Sequence, residues 1–393
     1  MRRLLVFVLL GVAFWGLYVL IEPALGAWGG WALPGTDRPT WTEAAGPPDL
    51  RDWDVLVDLR GRWDFRIGDD ASGTGVTPPE ARFDGGDARP APPADVPGGP
   101  EVAWDDIFVP AAWEDEGYFG YDGFAWYRTA FALDDDARKR AEDQPAFLLL
   151  GRIDDTDEVW LNGTYLGRGG RMPPLYKTAS YAFRTYRVPP DLLRLDGPNT
   201  LAIRVYDEGL EGGILEGPVA LVVPTAQNPL GAPLVADLAG TWRFHLGDDL
   251  GWAEPDADVS RWDSLRVPAM WDAQGYNDYD GFAWYRTTVA LGPEAARQDL
   301  VLVLGTIDDL DQTFVNGVEV GRTGDLDGME VEGTEWLVER AYPVPEGLLR
   351  AGDNTVAVRV FDVMFDGGIY RGPVGLMTPE AYARRGRRTA GDM

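Results

Sequence analysis

One nine-residue segment, YDGFAWYRT, occurs twice in this chain without a change, at residues 121–129 and 279–287. Other matches flank the two copies in the same order: GRIDDTDEVWLNG matches GTIDDLDQTFVNG, NTLAIRV matches NTVAVRV, and GGILEGP matches GGIYRGP. The matched positions lie about 155 residues apart, a spacing far longer than the period of solenoid or propeller repeats. We therefore expect two homologous domains in tandem, each with its own core.

Each repeat is a series of short apolar runs separated by glycine and proline turns, and sustained helical periodicity is absent after residue 27. Trp63, Phe65 and Ile67 alternate with polar residues, as in a strand with one buried face. Asn-Gly pairs at 162–163 and 316–317 stand between alternating runs, which is the strongest short-range signal for a β-hairpin. These patterns predict an all-β chain of two tandem β-sandwich domains of the jelly-roll kind.

Composition along the chain predicts five segments. Residues 1–26 are expected to form a membrane anchor or signal peptide, 27–52 a linker, 53–224 the first jelly-roll domain, 234–379 the second, and 380–393 a loose basic tail. An insertion at about residues 70–103 of the first domain is rich in Gly, Pro and Asp, and we predict that it is a disordered surface loop.

The N-terminal segment begins with two arginines, followed by an uncharged apolar stretch over residues 4–21. A cleaved signal peptide has an apolar core of about 7 to 15 residues, whereas a spanning helix needs about 17 to 25, so the length favours an uncleaved anchor. The small residues Ala24 and Gly26 nevertheless permit cleavage after Gly26. In both cases Arg2 and Arg3 keep the N-terminus in the cytoplasm. The predicted location is the cell membrane with extracytoplasmic domains, or the periplasm or exterior after cleavage.

The charge of the chain limits its partners. A net charge of -29 and the resulting negative field argue against binding to nucleic acid or to acidic lipid surfaces. The absence of cysteine rules out disulfides, thiolate metal sites and a cysteine nucleophile in this sequence. The single histidine, His245, lies in a strand pattern and corresponds to Arg66 in the first repeat, so it does not indicate a duplicated catalytic site.

Five motifs carry a resemblance to a known family. In the first repeat they are VPAAWEDEGY, YDGFAWYRT, GRIDDTDEVWLNG, YRVPPDLLRLDGPNTLAIRV and GGILEGP, and the second repeat has the same series. Each repeat resembles the β-galactosidase-type, galactose-binding-like jelly roll, which is the sugar-binding domain of glycoside hydrolase family 2 enzymes. A related jelly roll is inserted in sialate O-acetylesterases, and the Ile-Asp-Asp form is similar to that version. The resemblance implies a β-sandwich of carbohydrate-processing proteins.

The same resemblance does not imply catalysis, because in both families the chemistry belongs to other domains. A family 2 glycosidase needs a TIM barrel of about 250 residues that carries two carboxylates. The sequence leaves no block of that size outside the two repeats. We therefore predict no catalytic residue.

Aromatic residues suggest where a sugar would bind, because its apolar C–H faces stack on aromatic rings while its hydroxyls need polar partners. Alternation along the strand assigns Trp126 and Trp284 to the core. The predicted ligand-binding residues lie in the preceding loops: Trp113, Tyr118, Tyr121 and Asp122 in the first repeat, and Trp271, Tyr276, Tyr279 and Asp280 in the second.

Duplicated aspartates allow two interpretations. One is a calcium site, since calcium takes about six to eight oxygen ligands. The candidate ligands are Asp154, Asp155, Asp157 and Asp207, with Asp308, Asp309, Asp311 and Asp362 in the second repeat. The other interpretation is structural, with the aspartates accepting backbone N–H bonds in turns or pairing with Arg128 or Arg204. No other cofactor is expected.

Three functions remain open. The favoured one is a non-catalytic carbohydrate-recognition protein, tethered to the membrane outside the cytoplasm, with a carbohydrate or glycoconjugate as its partner. The second is a family 2, β-galactosidase-like hydrolase, or an accessory subunit related to sialate O-acetylesterases that works with a hydrolase partner. The third is a scaffold that binds proteins.

Overall fold

The computed structural model describes residues 48–69, 104–329, 331 and 333–389. The predicted anchor or signal peptide (1–26), the linker up to residue 47 and the insertion at 70–103 lie outside the described residues. No helix in the described ranges is long and apolar enough to cross a membrane.

Within its described residues, the first repeat contains ten strands and one α-helix. These are β1 (Trp53–Asp58), β2 (Gly61–Ile67), β3 (Asp105–Val109), β4 (Gly123–Phe131), α1 (Asp135–Asp143), β5 (Ala146–Asp154), β6 (Thr156–Leu161), β7 (Thr164–Gly169), β8 (Phe183–Val188), β9 (Asn199–Asp207) and β10 (Gly213–Pro224). They pair as a four-stranded sheet, β1-β10-β5-β8, and a six-stranded sheet, β3-β2-β4-β9-β6-β7.

The second repeat follows the same plan. Its elements are β11 (Ala236–Asp237), β12 (Gly240–Leu246), β13 (Asp263–Val267), β14 (Gly281–Leu291), β15 (Val301–Asp308), β16 (Leu310–Val315), β17 (Val318–Thr323), β18 (Glu339–Pro343), β19 (Gly352–Asp362), β20 (Gly368–Arg371), β21 (Gly375–Met377) and α2 (Pro379–Thr389). One sheet has the order β13-β12-β14-β19-β16-β17, and the other has β11-β21-β15-β18 with β20 also on β15.

Two separate cores hold these sheets together as sandwiches. In the first, Phe65 and Ile203 of the six-stranded sheet pack in one cluster with Leu148 of the opposite sheet. In the second, Phe244 and Leu302 join the corresponding cluster. The burial of apolar faces between paired sheets is the main force that closes each sandwich. The prediction of an almost wholly β fold with few helices is confirmed.

Local signals were reliable in the hairpins and less so at strand ends. Both residues of each Asn-Gly pair have positive φ, with Asn162 at 51° and Gly163 at 81°, as a two-residue turn between β6 and β7 requires. Trp63 and Phe65 are buried as predicted, but Ile67 at the end of β2 is 43% exposed. The alternation continues past the edge of the core there.

The C-terminal tail also differs from the prediction. The segment at 380–393 was expected to be loose, yet α2 continues to Thr389. A proline at the start and a run of alanine and arginine favour helix in this segment. Tyr382 also donates a hydrogen bond to Glu339 of β18, and Arg385 forms a salt bridge with the same carboxylate. These tertiary contacts hold the helix against the second sandwich.

The two sandwiches contact each other through a polar interface. Arg168 of β7 and Arg171 both pair with Asp263 of β13, at 2.7 and 2.8 Å. The backbone N–H of Gly170 donates to the carbonyl of Ala273 at 2.9 Å. The β7–β8 side of the first sandwich therefore covers the β13 side of the second.

Candidate functional site

The two tryptophans predicted to bind ligand belong to the cores instead. Trp113 and Trp271 are fully buried, so neither indole offers a surface to a sugar. The Trp113 ring lies 6.0 Å from the ring of Phe65, and its Nε1 donates to the carbonyl of Tyr121 at 3.1 Å. The expectation that these loop residues face outward is therefore wrong for both tryptophans.

The glycine pairs of the repeated GGI motif explain how each loop packs on its tryptophan. A Cβ atom at Gly212 would lie 2.2 Å from the Trp113 ring, and one at Gly367 would lie 2.1 Å from the Trp271 ring. Such distances are well inside van der Waals contact, so only glycine fits. These glycines permit a close approach between loop and indole within the protein.

The tyrosines of the same loops are partly exposed but already hold structural hydrogen bonds. The hydroxyl of Tyr121 donates to the carbonyl of Phe124 at 2.6 Å, and Tyr279 makes the matching bond at 2.7 Å. Tyr118 and Tyr276 donate to Asp105 and Asp263, each at 2.8 Å. Burial and these carboxylates raise the pKa of Tyr118 and of Tyr276 to about 12, so both phenols stay protonated. Their hydroxyls therefore already have partners inside the protein.

The two copies of the predicted loop site differ in accessibility. Asp122 and Asp280 are both exposed. In the first sandwich the loop tip carries Phe119, which is 82% exposed. In the second, the corresponding Asn277 donates to the carbonyl of Thr178 in the first sandwich at 3.1 Å. The loop of the second repeat therefore contacts the neighbouring sandwich through Asn277 and through Tyr276, over which Arg171 lies, while Asp280 stays exposed.

Two triads of aspartates come together as the calcium interpretation requires. Asp154, Asp155 and Asp207 each place a carboxylate oxygen within 4.8 Å of the others. In the second sandwich Asp308, Asp309 and Asp362 form the same arrangement. The triads arise because β5 and β15 end at the first aspartate of each pair, while β9 and β19 end at Asp207 and Asp362. Strand ends from the two sheets of each sandwich thus meet at one edge.

The first triad is rich in negative charge and poor in donors. Asp155 accepts from the Thr178 hydroxyl at 2.5 Å and from the Glu208 N–H at 3.0 Å. Burial, with Asp155 and then Asp207 nearby, raises the pKa of Asp154 to about 7. Burial raises the pKa of Asp207 to about 6, with Asp155 contributing. The site therefore favours a positive species, either a proton or a cation.

Two of the predicted calcium ligands serve a different purpose. Asp157 pairs with Arg184 at 2.6 Å, and Asp311 pairs with Arg340 at 2.8 Å, with all four side chains buried. Each carboxylate also accepts a hydrogen bond from the tyrosine two residues after its arginine. These aspartates are therefore part of core ion pairs and not of the triads. The arginine partners were missed, although an Arg-x-Tyr sequence occurs in both repeats.

The arginines suggested as structural partners have other neighbours. Arg204 pairs with Asp69 at 2.6 Å and with Glu158 at 2.9 Å. The guanidinium of Arg128 lies 5.0 Å from the centre of the Trp104 ring. Both arginines lie on the outer face of the six-stranded sheet, opposite the core.

A cleft of about 780 Å³ lies between the two sandwiches and was not predicted. Its lining includes Trp160 and Tyr165 from the first sandwich, and Thr241, Arg243, Ser264 and Thr288 from the second. None of the described residues that line it is an aspartate or a glutamate. Trp160 and Tyr165 flank the Asn-Gly turn between β6 and β7, and Arg286 and Thr287 end the second copy of the nine-residue segment, but neither signal predicts a cleft.

The fold defines a tandem of two β-sandwich domains. The family model of the beta-galactosidase second all-beta domain matches residues 105–211 and again residues 246–363, together more than half of the chain. The chain therefore belongs to this family, and its resemblance to all-β domains of glycoside hydrolase family 2 is confirmed.

Individual relatives are more distant. A beta-galactosidase of Bacteroides ovatus is 28% identical over 98 residues, a match that spans 22% of this chain and 12% of that protein. Among solved structures, a Bacteroides uniformis beta-glucuronidase has 14% identity and a TM-score of 0.31, with 77% of this chain and 27% of that chain covered. A beta-glucuronidase of an uncultured Clostridium species has 12% identity and a TM-score of 0.30, with 77% and 41% covered. The matches thus span less than half the length of these relatives.

Proposed function

We propose that this protein recognises carbohydrate without hydrolysing it, through two galactose-binding-like jelly rolls that its N-terminal segment holds outside the cytoplasm. Family membership supports a role with carbohydrates. The observation that carries the proposal is the cleft between the sandwiches, because its volume of about 780 Å³ is within the usual range for small-molecule sites, which often lie between domains.

The chemistry of the cleft suits a sugar. Tyr165 is partly exposed and packs edge-on against the buried Trp160, with ring centres 5.6 Å apart, so the Tyr165 ring offers a surface on which the C–H face of a pyranose can pack. Thr241, Ser264 and Thr288 supply hydroxyl groups that both donate and accept hydrogen bonds, as sugar hydroxyls do. The cleft is thus amphipathic in the way that a carbohydrate is.

The same lining argues for binding over hydrolysis. Glycoside hydrolysis by the common mechanisms needs two carboxyl groups, about 5 to 9.5 Å apart, that flank the glycosidic bond. The described lining of the cleft supplies none. The two aspartate triads do hold carboxylates, but none of their residues lines the cleft.

A glycan array probed with the full chain tests the proposal. We expect binding to a subset of glycans, and we expect Tyr165→Ala to weaken it by about tenfold or more, as loss of a stacked aromatic ring does. Asp122→Asn, in the exposed loop of the first sandwich, is the matched control and should leave binding unchanged. Loss of binding with Asp122→Asn alone would place the site at the loops. If the wild-type chain binds no glycan, carbohydrate recognition is refuted and a protein-binding scaffold becomes the better explanation.

Membership of this family also favours a second candidate, a role as part of a family 2 hydrolase. Release of nitrophenol from aryl glycosides, and of acetate from acetyl esters, tests that role directly. Turnover by the full chain that a single carboxylate substitution abolishes would establish an enzyme. Turnover that appears only after a hydrolase partner is added would establish an accessory subunit.

A further inference from the structure

We propose that Asp154, Asp155 and Asp207 of the first sandwich bind one divalent cation of the calcium class. The inference concerns a site separate from the cleft, and its test uses no sugar, so it stands or fails independently of carbohydrate binding.

The spacing of the carboxylate oxygens fits one ion. Calcium binds oxygen at about 2.4 Å, so two oxygens on opposite sides of the ion lie about 4.8 Å apart. One oxygen from each of Asp154, Asp155 and Asp207 lies within 4.8 Å of the other two. All three can therefore contact a single ion without a change of backbone. The donors are oxygen atoms only, which selects a hard cation over zinc or copper.

Asp207 supplies a second, independent observation. Its side chain is fully buried, and Oδ1 accepts from the Gly209 N–H at 3.1 Å. For Oδ2, no donor lies within hydrogen-bond distance among the residues that the structure describes. A buried carboxylate oxygen without a donor is costly unless a cation balances it. The Oε1 atom of Glu114, whose charge acts on Asp207, is likewise buried without a donor from the described residues.

Protein cations do not neutralise the triad. Within the described part of the chain no arginine or lysine forms a salt bridge with any of its three carboxylates. Arg152 acts on Asp154 electrostatically, but its guanidinium pairs with Glu216 at 2.7 Å. Three carboxylates that share one buried corner therefore leave negative charge that a divalent ion would balance.

An ion at this position would join three parts of the molecule. Asp154 ends β5 in one sheet and Asp155 follows it, while Asp207 ends β9 in the other sheet. The hydroxyl of Thr178 donates to Asp155, and the backbone carbonyl of Thr178 accepts a hydrogen bond from Asn277 of the second sandwich. Cation binding should therefore stiffen both the edge of the first sandwich and its contact with the second.

Titration of the chelator-treated full chain with Ca²⁺, followed by calorimetry and by thermal unfolding, tests the proposal. We expect saturable binding with a Kd between about 10⁻⁶ and 10⁻³ M and a rise in Tm that Mg²⁺ at the same concentration does not reproduce. Asp207→Asn keeps the acceptor for Gly209 and removes the charge, so the number of bound ions should fall by one. Asp115→Asn, an exposed acid, controls for the net charge and should bind as the wild type does.

A measurement on the wild type alone guards against variants that do not fold. Tb³⁺ takes calcium sites and luminesces when a nearby tyrosine absorbs, and the Tyr176 hydroxyl bonds to Asp155. We expect tyrosine-sensitised Tb³⁺ emission that Ca²⁺ displaces, with Asp154→Asn reducing it. Absence of displaceable emission, or calcium binding that survives both Asp207→Asn and Asp154→Asn in folded protein, would overturn the proposal and leave a shared proton as the balancing charge.

Discussion

The two sandwiches carry an identical nine-residue segment, yet the loops that precede it have different surroundings. In the second sandwich the guanidinium of Arg171 lies 4.5 Å from the centre of the Tyr276 ring, and Asn277 bonds to the neighbouring sandwich. In the first sandwich the corresponding loop carries the exposed Phe119. The comparison teaches that contact with the neighbouring sandwich, together with the residue at the loop tip, decides how accessible each loop is.

The interior contacts of the two sandwiches, in contrast, are alike. The core ion pairs Asp157–Arg184 and Asp311–Arg340 are the same in both sandwiches. The aspartate triads and the packing of glycine on tryptophan are also duplicated. Interior features are therefore shared by the two copies, whereas surface features diverge where the copies touch.

The largest effect on unfolding free energy is expected from breaking the buried ion pairs that both sandwiches share. Asp157→Asn leaves the Arg184 guanidinium buried without its counter-charge, and Asp311→Asn does the same to Arg340. We expect each variant to lose about 4 kcal/mol of unfolding free energy, measured by urea denaturation, because breaking a buried ion pair strands a charge. Asp196→Asn, which breaks an exposed pair with Arg138, is the control and should cost less than about 0.5 kcal/mol. A small loss in only one sandwich would show that the cores are not equivalent.

The second prediction concerns the pH dependence of unfolding free energy that Asp272 of the second sandwich should cause. Burial, together with Asp366 and Asp362, raises the pKa of Asp272 to about 8. The unfolded chain releases this proton near pH 4, whereas the folded protein keeps it to about pH 8. The folded state therefore binds more protons between these values, and its stability falls as the pH rises. We expect Asp272→Asn to remove this fall and to be more stable than the wild type at pH 8 by about 3 kcal/mol.

The corresponding position of the first sandwich supplies the control for that experiment. Glu114 occupies it, accepts from the Gly212 N–H at 3.1 Å and is only half-buried. Glu114→Gln is therefore the matched control, because it removes a carboxyl group from the same position of the fold. A fall of unfolding free energy with pH that persists in Asp272→Asn, measured by urea denaturation, would contradict its assignment to Asp272.

The smallest expected effect measures the contact between the sandwiches. Asp263 accepts from Arg168, Arg171 and Tyr276, whereas its counterpart Asp105 accepts from Tyr118. We expect Asp263→Asn to cost about 1–2 kcal/mol in unfolding free energy, since two charge-assisted bonds are lost.

Asp105→Asn should cost less than about 0.5 kcal/mol, because it loses a single exposed hydrogen bond. The Asp263 variant should also make the first and second sandwiches unfold in separate calorimetric transitions. A single sharp transition in that variant would show that Asp263 does not couple the sandwiches.

Several features of the site were predictable in kind but not in detail. The aspartate motif pointed to clustered carboxylates, and two triads do form, yet Asp157 and Asp311 turn toward buried arginines instead. Alternation predicted that Trp126 points into the core; the residue is buried, but on the opposite face of β4, where it packs against Trp160, while Tyr127 enters the sandwich core. Alternation shows only that neighbouring residues point to opposite faces of a strand, and not which face is inward. It could not place Trp113, because that residue lies in a loop whose packing on Gly212 joins positions about 100 residues apart.

The sequence by itself determined the duplication, the all-β class and the hairpin turns, because internal identity, apolar alternation and turn chemistry are written in neighbouring residues. Tertiary structure alone decided which tryptophans are buried, which arginines neutralise the core aspartates and where a cleft opens. Those outcomes depend on contacts between residues far apart in the chain and, for the cleft, on how one sandwich packs against the other.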